Sequence, residues 1–170
     1  TSIMVPCPWF YEMAQFCLQN PNLDYGIHLT LTGEWKTYPF RPILPPHQIP
    51  TLVDRHGHLF PKRSQVRDHA AIDEVRFELK AQIDFALSLG LKPSHLDSHM
   101  YTLGVRQDLL DLYRELGEYY HGCDGRAFRA EPDLWAACGE GVPAPCENRH
   151  GRAFDDRASG PVYRGLCRCG

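Results

Sequence analysis

The stretch PSHLDSHM, residues 93 to 100, sets His95, Asp97 and His99 at every second position. Two imidazoles and a carboxylate, with positions left for water, are a common donor set for a catalytic divalent metal. A second histidine site lies upstream. In DYGIHLTLT, His28 alternates with Ile27, Leu29 and Leu31, so it shares a strand face with Thr30 and Thr32 rather than with the aliphatic set. A histidine on a half-buried strand is also commonly a plain hydrogen-bonding residue. Spacing alone leaves both readings open.

The elements that must position these groups follow from periodicity. On a strand all three polar side chains of 95 to 99 point one way, whereas on a helix His95 and His99 would share a face without Asp97. Gly90 ends a helical pattern, Pro93 fixes an extended entry and Gly104 soon follows, which favours a strand end. Upstream of it, Ile72, Val75, Leu79, Ile83, Ala86 and Leu87 mark a helix over 71–89, closed by Gly90, with Asp73, Glu74, Glu78 and Lys80 as its solvated face. Trp9, Phe10, Met13, Phe16 and Cys17 give a shorter helix over 8–20, and Leu109, Leu112, Tyr113 and Leu116 another ending near Tyr120. Between Gly33 and Asp68 the prolines at 39, 42, 45, 46, 50 and 61 predict a long loop with a turn at 54–57. Strand, excursion, helix, strand, helix is α/β order, with parallel strands covered by helices.

Composition excludes several classes of function. The chain has 170 residues, 43% hydrophobic and 23% charged, with a formal charge of -3 and no basic cluster, which predicts no nucleic-acid partner. Apolar runs fall far short of the roughly 18 residues of a membrane span, and no signal segment opens the sequence, so no membrane partner and a cytoplasmic location are expected. Seven cysteines without a secretory signal, five of them at 123, 138, 146, 167 and 169, read as free thiols rather than as a disulfide or zinc framework.

Beyond His121 the periodicity stops. Residues 122–170 hold eight Gly, seven Arg, seven Ala and five Cys but no Lys, Ile, Met, Thr or Gln, so the segment can bury little. The expected division is therefore a folded part over 1–120 and an atypical tail over 121–170, poorly ordered or read from a shifted frame.

TSIMVPCPWF, YGIHLTLTGEW, TLVDRHGHLFP and KPSHLDSHMYT resemble, in order and spacing, segments of the YdjC-like carbohydrate deacetylases, a family that includes the chitooligosaccharide deacetylases. The resemblance covers 1–120. It implies a partial irregular (β/α) TIM-like barrel, one divalent ion, magnesium first and zinc second, and removal of N-acetyl groups from an acetylated amino sugar. His28 and His99 are then the metal ligands, with His95 and Asp97 orienting His99 and the strand end, and Thr30 and Trp35 in the same pocket. Trp9, Trp35 and Phe40 could each stack on a sugar ring; Trp9 is expected to pack on its helix, while Trp35, straight after the His28 strand, has the stronger claim on a pocket. His56 and His58, flanking Gly57, read as solvated turn residues or substrate contacts.

Departures from the family pattern set further expectations. No Asp-Asp-Phe-Gly motif supplies an acidic ligand and base, His150 in NRHGRA lacks the family context, and the Arg-containing strand expected after the 105–120 helix is missing. The catalytic residues are thus unknown, and weak metal binding with little turnover is expected. A noncatalytic sugar-binding or interaction fragment is the alternative. Exposed strand edges would favour a homodimer.

Overall fold

Four short parallel strands stand side by side in the order in which the chain makes them: β1 (Ser2–Ile3), β2 (Gly26–Leu29), β3 (His95–Ser98) and β4 (Arg129–Ala130). The computed structural model describes residues 1–123 and 129–130. Between the strands run α1 (Phe10–Gln19), α2 (Arg63–His69) and α3 (Ile72–Ser88), and α4 (Gln107–Cys123) follows β3. This is the expected α/β class with a parallel sheet. No described helix is long and apolar enough to cross a membrane.

Alternation along the strands separates two chemistries. Ile27, Leu29, Leu96 and Ser98 are buried, while His28, His95 and Asp97 stay partly open on the other face. Against the apolar face pack Val75, Leu79 and Ile83 of α3 and Leu109, Leu112, Tyr113 and Leu116 of α4. Each large aliphatic side chain so buried contributes roughly 2 kcal/mol, which makes a slip of one residue in register costly. Tyr113 hydroxyl adds a bond to the Leu96 carbonyl oxygen at 2.5 Å.

Several expectations change on contact with the fold. In α1 the inward face is Phe10, Ala14 and Cys17, so Trp9, just before the helix, is 70% exposed rather than packed, and Phe16 also faces out. The arc that meets the sheet is narrower than the apolar pattern suggested. Glu78, assigned to the solvated face of α3, is fully buried. The long excursion after β2 is mostly irregular, yet it holds α2, which the sequence did not signal because Val66 is its one buried residue. It also holds the expected turn, where Asp54 Oδ1 accepts from the amides of His56 and His58 and Gly57 adopts φ 76°. An Arg-containing strand after the last helix is present after all, as Arg129–Ala130 paired with His95 and Leu96. Apart from that strand, the tail expectation for 124–170 lies outside the described residues.

Candidate active site

Parallel register brings the two histidine motifs together. His28 stands directly across from Asp97, and Gly26 across from His95. Neighbours in register point their side chains to one face, so the separation of 69 residues in sequence collapses to one hydrogen bond: His28 Nδ1 lies 2.7 Å from Asp97 Oδ1. Ser2, from the adjacent β1, donates its hydroxyl to Asp97 Oδ2 at 2.8 Å and lies 3.3 Å from the same His28 nitrogen. Burial raises the Asp97 carboxyl, but the bonds from His28 and Ser2 outweigh it and hold the group below its ordinary value. An ionised Asp97 can only accept, so His28 carries a proton on Nδ1, and in the neutral ring the lone pair then lies on Nε2.

Sequence order Ser, His, Asp invites a nucleophile reading, and the geometry excludes it. A serine nucleophile is activated from the ring nitrogen opposite the carboxylate. Here Ser2 and Asp97 crowd the same nitrogen, so both act as orienting groups and His28 presents a fixed Nε2.

His99 follows the end of β3, with its ring centroid 5.2 Å from that of His28 and nearly perpendicular to it. Its partner is neither Asp97 nor His95. His99 Nε2 lies 2.9 Å from Glu34 Oε2 and 3.1 Å from Oε1, across 65 residues. Burial raises the Glu34 carboxyl, and hydrogen bonds from Thr32 and His99 outweigh that and hold it low. Glu34 is therefore ionised and accepts the His99 Nε2 proton. Glu34 sits in a loop with no periodicity, so no local pattern marks it, although it lies inside the YGIHLTLTGEW segment.

The remaining predicted residues divide by place. His95 lies over Gly26, where an added Cβ would come within 2.6 Å of the His95 carbonyl oxygen, and its Nδ1 lies 2.8 Å from the Ser94 hydroxyl. It touches neither His99 nor its partner. Thr30 is fully buried, with its hydroxyl on the His28 carbonyl at 2.7 Å, so it backs the site rather than lining it. Trp35, next to Glu34, is 64% exposed, whereas Phe40 is buried and so closed to a sugar ring. His56 and His58 contact each other, Asp54 and Arg55. Met100 and Tyr101, immediately after His99, both hold φ 52° in the left-handed region and leave their side chains half exposed.

The donor chemistry fits part of a divalent-metal site. His28 offers an unbonded Nε2, held from behind by a carboxylate as metal-binding imidazoles commonly are, and His99 stands beside it. Among the described residues, no three His, Cys, Asp or Glu side chains converge on one point. Two protein donors are what this arrangement supplies.

Comparison with known proteins identifies the family. A family model described as YdjC-like protein matches residues 1–160, some 40 residues beyond the resemblance read from the motifs. A carbohydrate deacetylase from Thermoanaerobacter pseudethanolicus is 32% identical over 121 residues, 71% of this chain and 46% of that protein. One from Enterococcus faecalis is 34% identical, covering 71% of this chain and 44% of its own. A solved structure provisionally described as a cellobiose-phosphate cleavage protein, also from Enterococcus faecalis, superposes with a TM-score of 0.63 at 29% identity, over 81% of this chain and 53% of that one. The chain thus spans less than half the length of these curated relatives. With its two histidine motifs joined across one parallel register and its sequence matched over most of its length, the chain belongs to the YdjC-like family, whose matched members are carbohydrate deacetylases.

Proposed function

We propose that this chain carries part of the catalytic centre of a metal-dependent deacetylase acting on N-acetylated amino sugars or chito-oligosaccharides. One observation supports it above the others: His28 Nδ1 is fixed by Asp97 with Ser2 behind it, which leaves Nε2 unbonded beside His99. The His28 Nε2 and the His99 imidazole would hold a divalent ion, magnesium first and zinc second, with water filling the other positions. Bound there, such an ion would polarise the amide carbonyl and make water more acidic. Asp97 and Ser2 keep the His28 ring oriented, and Glu34 keeps the proton of His99 on Nε2. Trp35, exposed beside Glu34, offers an aromatic face to the apolar side of a sugar ring. The sequential parallel strand order supports a segment of a (β/α) barrel, whose functional groups gather at the carboxyl ends of the strands.

Two donors with no converging carboxylate among the described residues hold an ion weakly, so slow turnover is expected of this chain. Calorimetric titration of the full chain with magnesium and zinc, together with acetate release from an acetylated chito-oligosaccharide, tests the reading. Stoichiometric ion uptake that disappears in both His28→Ala and His99→Ala supports it. Uptake unchanged by either substitution would remove the metal site, and sugar binding that persists without metal and depends on Trp35 would favour the noncatalytic alternative.

A further inference from the structure

Two buried side chains one helical turn apart on α3 grip both ends of the loop that carries Glu34. Gln82 Oε1 accepts from the Thr30 amide at 3.0 Å and its Nε2 donates to the Thr30 carbonyl oxygen at 2.7 Å, the two bonds a neighbouring strand would give where β2 has just ended. Glu78 Oε1 accepts from the Ile43 amide at 2.9 Å and Oε2 from the Leu44 amide at 3.0 Å. Gln82 Nε2 also donates to Glu78 Oε1 at 2.8 Å, which ties the two grips into one unit. Both side chains have zero exposure.

Between these two feet the chain makes the excursion that contains Thr32, Glu34, Trp35 and Tyr38. Thr32 donates to Glu34 at 2.5 Å, and Gly33 and Phe40 bond the 59–60 segment on either side. A buried carboxylate whose partners are three N–H groups is an expensive way to fill space, because an apolar pair of similar shape is often as stable. What the polar pair adds is direction: it fixes particular backbone amides at particular points.

We propose that Glu78 and Gln82 are positioning residues whose task is to hold the Glu34 loop so that its carboxylate meets His99. The proposal takes its functional meaning from the deacetylase reading, since it matters only if His99 belongs to the site, but its test requires no turnover.

Histidine-labelled full chain would be studied by NMR, following the ring N–H protons of His28 Nδ1 and His99 Nε2. Both are hydrogen-bonded to carboxylates and are expected to be protected in the unaltered chain. In Glu78→Gln, and in Gln82→Met, which spares the Glu78 bonds to Ile43 and Leu44, the His99 signal is expected to broaden away while the His28 signal persists. Amide exchange at Ile43 and Leu44 is expected to rise at least about tenfold in Glu78→Gln. A Val75→Ala control, which loosens the same helix by a cavity, should keep both ring signals. The proposal is overturned by a His99 signal that survives in both variants, by joint loss of both rings in a folded variant, by loss of His99 in Val75→Ala, or by an unprotected His99 ring in the unaltered chain. Ion uptake unchanged by His28→Ala and His99→Ala, with the ring signals behaving as expected, would refute the metal-site reading and leave the positioning role standing.

Discussion

Asp97 faces His28 across the β2–β3 register and accepts its Nδ1 proton at 2.7 Å, while Ser2 occupies the other carboxylate oxygen. The ring thereby loses its choice of tautomer. Substituting Asp97→Asn keeps the shape but lets the amide present either end, so Nε2 is no longer reserved as the free lone pair. Divalent-ion affinity is expected to fall by roughly 10–100-fold, the range seen when an orienting partner of a metal-bound histidine is removed. Titration calorimetry on the folded variant measures it, and an unchanged affinity would mean that Asp97 only stabilises the sheet.

Acid should weaken the fold through the same carboxylates. Asp97 and Glu34 both sit below their ordinary values of 3.8 and 4.5 in the folded chain. A depressed carboxyl contributes stability that is fully present above its unfolded value and is lost as pH falls through the folded one. Melting temperature is therefore expected to drop below about pH 4. Asp97→Asn and Glu34→Gln should each flatten that limb, and a variant melting with the original acid slope would show that the corresponding bond forms no part of it.

Glu78 acts in the opposite sense. Burial pushes its carboxyl up to about 7, against the three N–H donors that pull it down. A raised group contributes stability that is complete below its ordinary 4.5 and is lost as pH rises through about 7. Thermal melts between pH 5 and 8 should show a decline on the alkaline side that Glu78→Gln abolishes. The variant should also be less stable overall by about 1–3 kcal/mol, because its amide nitrogen must face a backbone N–H that has lost its acceptor. A variant with the parental alkaline slope would assign that slope to another group.

How much of this could be read beforehand depended on how far each signal extends along the chain. The helices at 10–19, 72–88 and 107–123 and the alternation in β2 and β3 are periodic over enough residues to be legible. Ser2–Ile3 and Arg129–Ala130 have no room for a period, and only pairing with a distant strand makes them strands. His28, Asp97 and His99 stood out by type, but which carboxylate serves which imidazole is decided by register. Asp97 is two residues from His99 in sequence and bonds His28 instead. Glu34 reaches His99 only because the excursion after β2 folds back, and no local pattern marks that. The burial of Glu78 is hidden for a related reason: a carboxylate on a helix ordinarily faces water, and the amides that justify its burial lie 34 and 35 residues away.

Met100 and Tyr101 make the last case, because their backbone departs from what their side chains prefer. Both hold φ 52°, where an L side chain crowds the following carbonyl at roughly 1–2 kcal/mol per residue. Half exposed, neither returns much of that cost through burial. Two bonds keep the turn in place: the Thr102 hydroxyl donates to the His99 carbonyl oxygen at 2.8 Å, and the Leu103 amide donates to the Ser98 hydroxyl at 3.1 Å. These bonds use neither strained side chain, so glycine at either position should keep the turn and relieve the crowding. Met100→Gly and Tyr101→Gly are each expected to be neutral or to stabilise the chain by up to about 1 kcal/mol by urea unfolding, with part of the gain offset by the freer unfolded state. Such a result would mean that these side chains are held beside His99 at the expense of stability, as strained residues at functional sites are. Destabilisation by more than about 1 kcal/mol would instead assign them to packing.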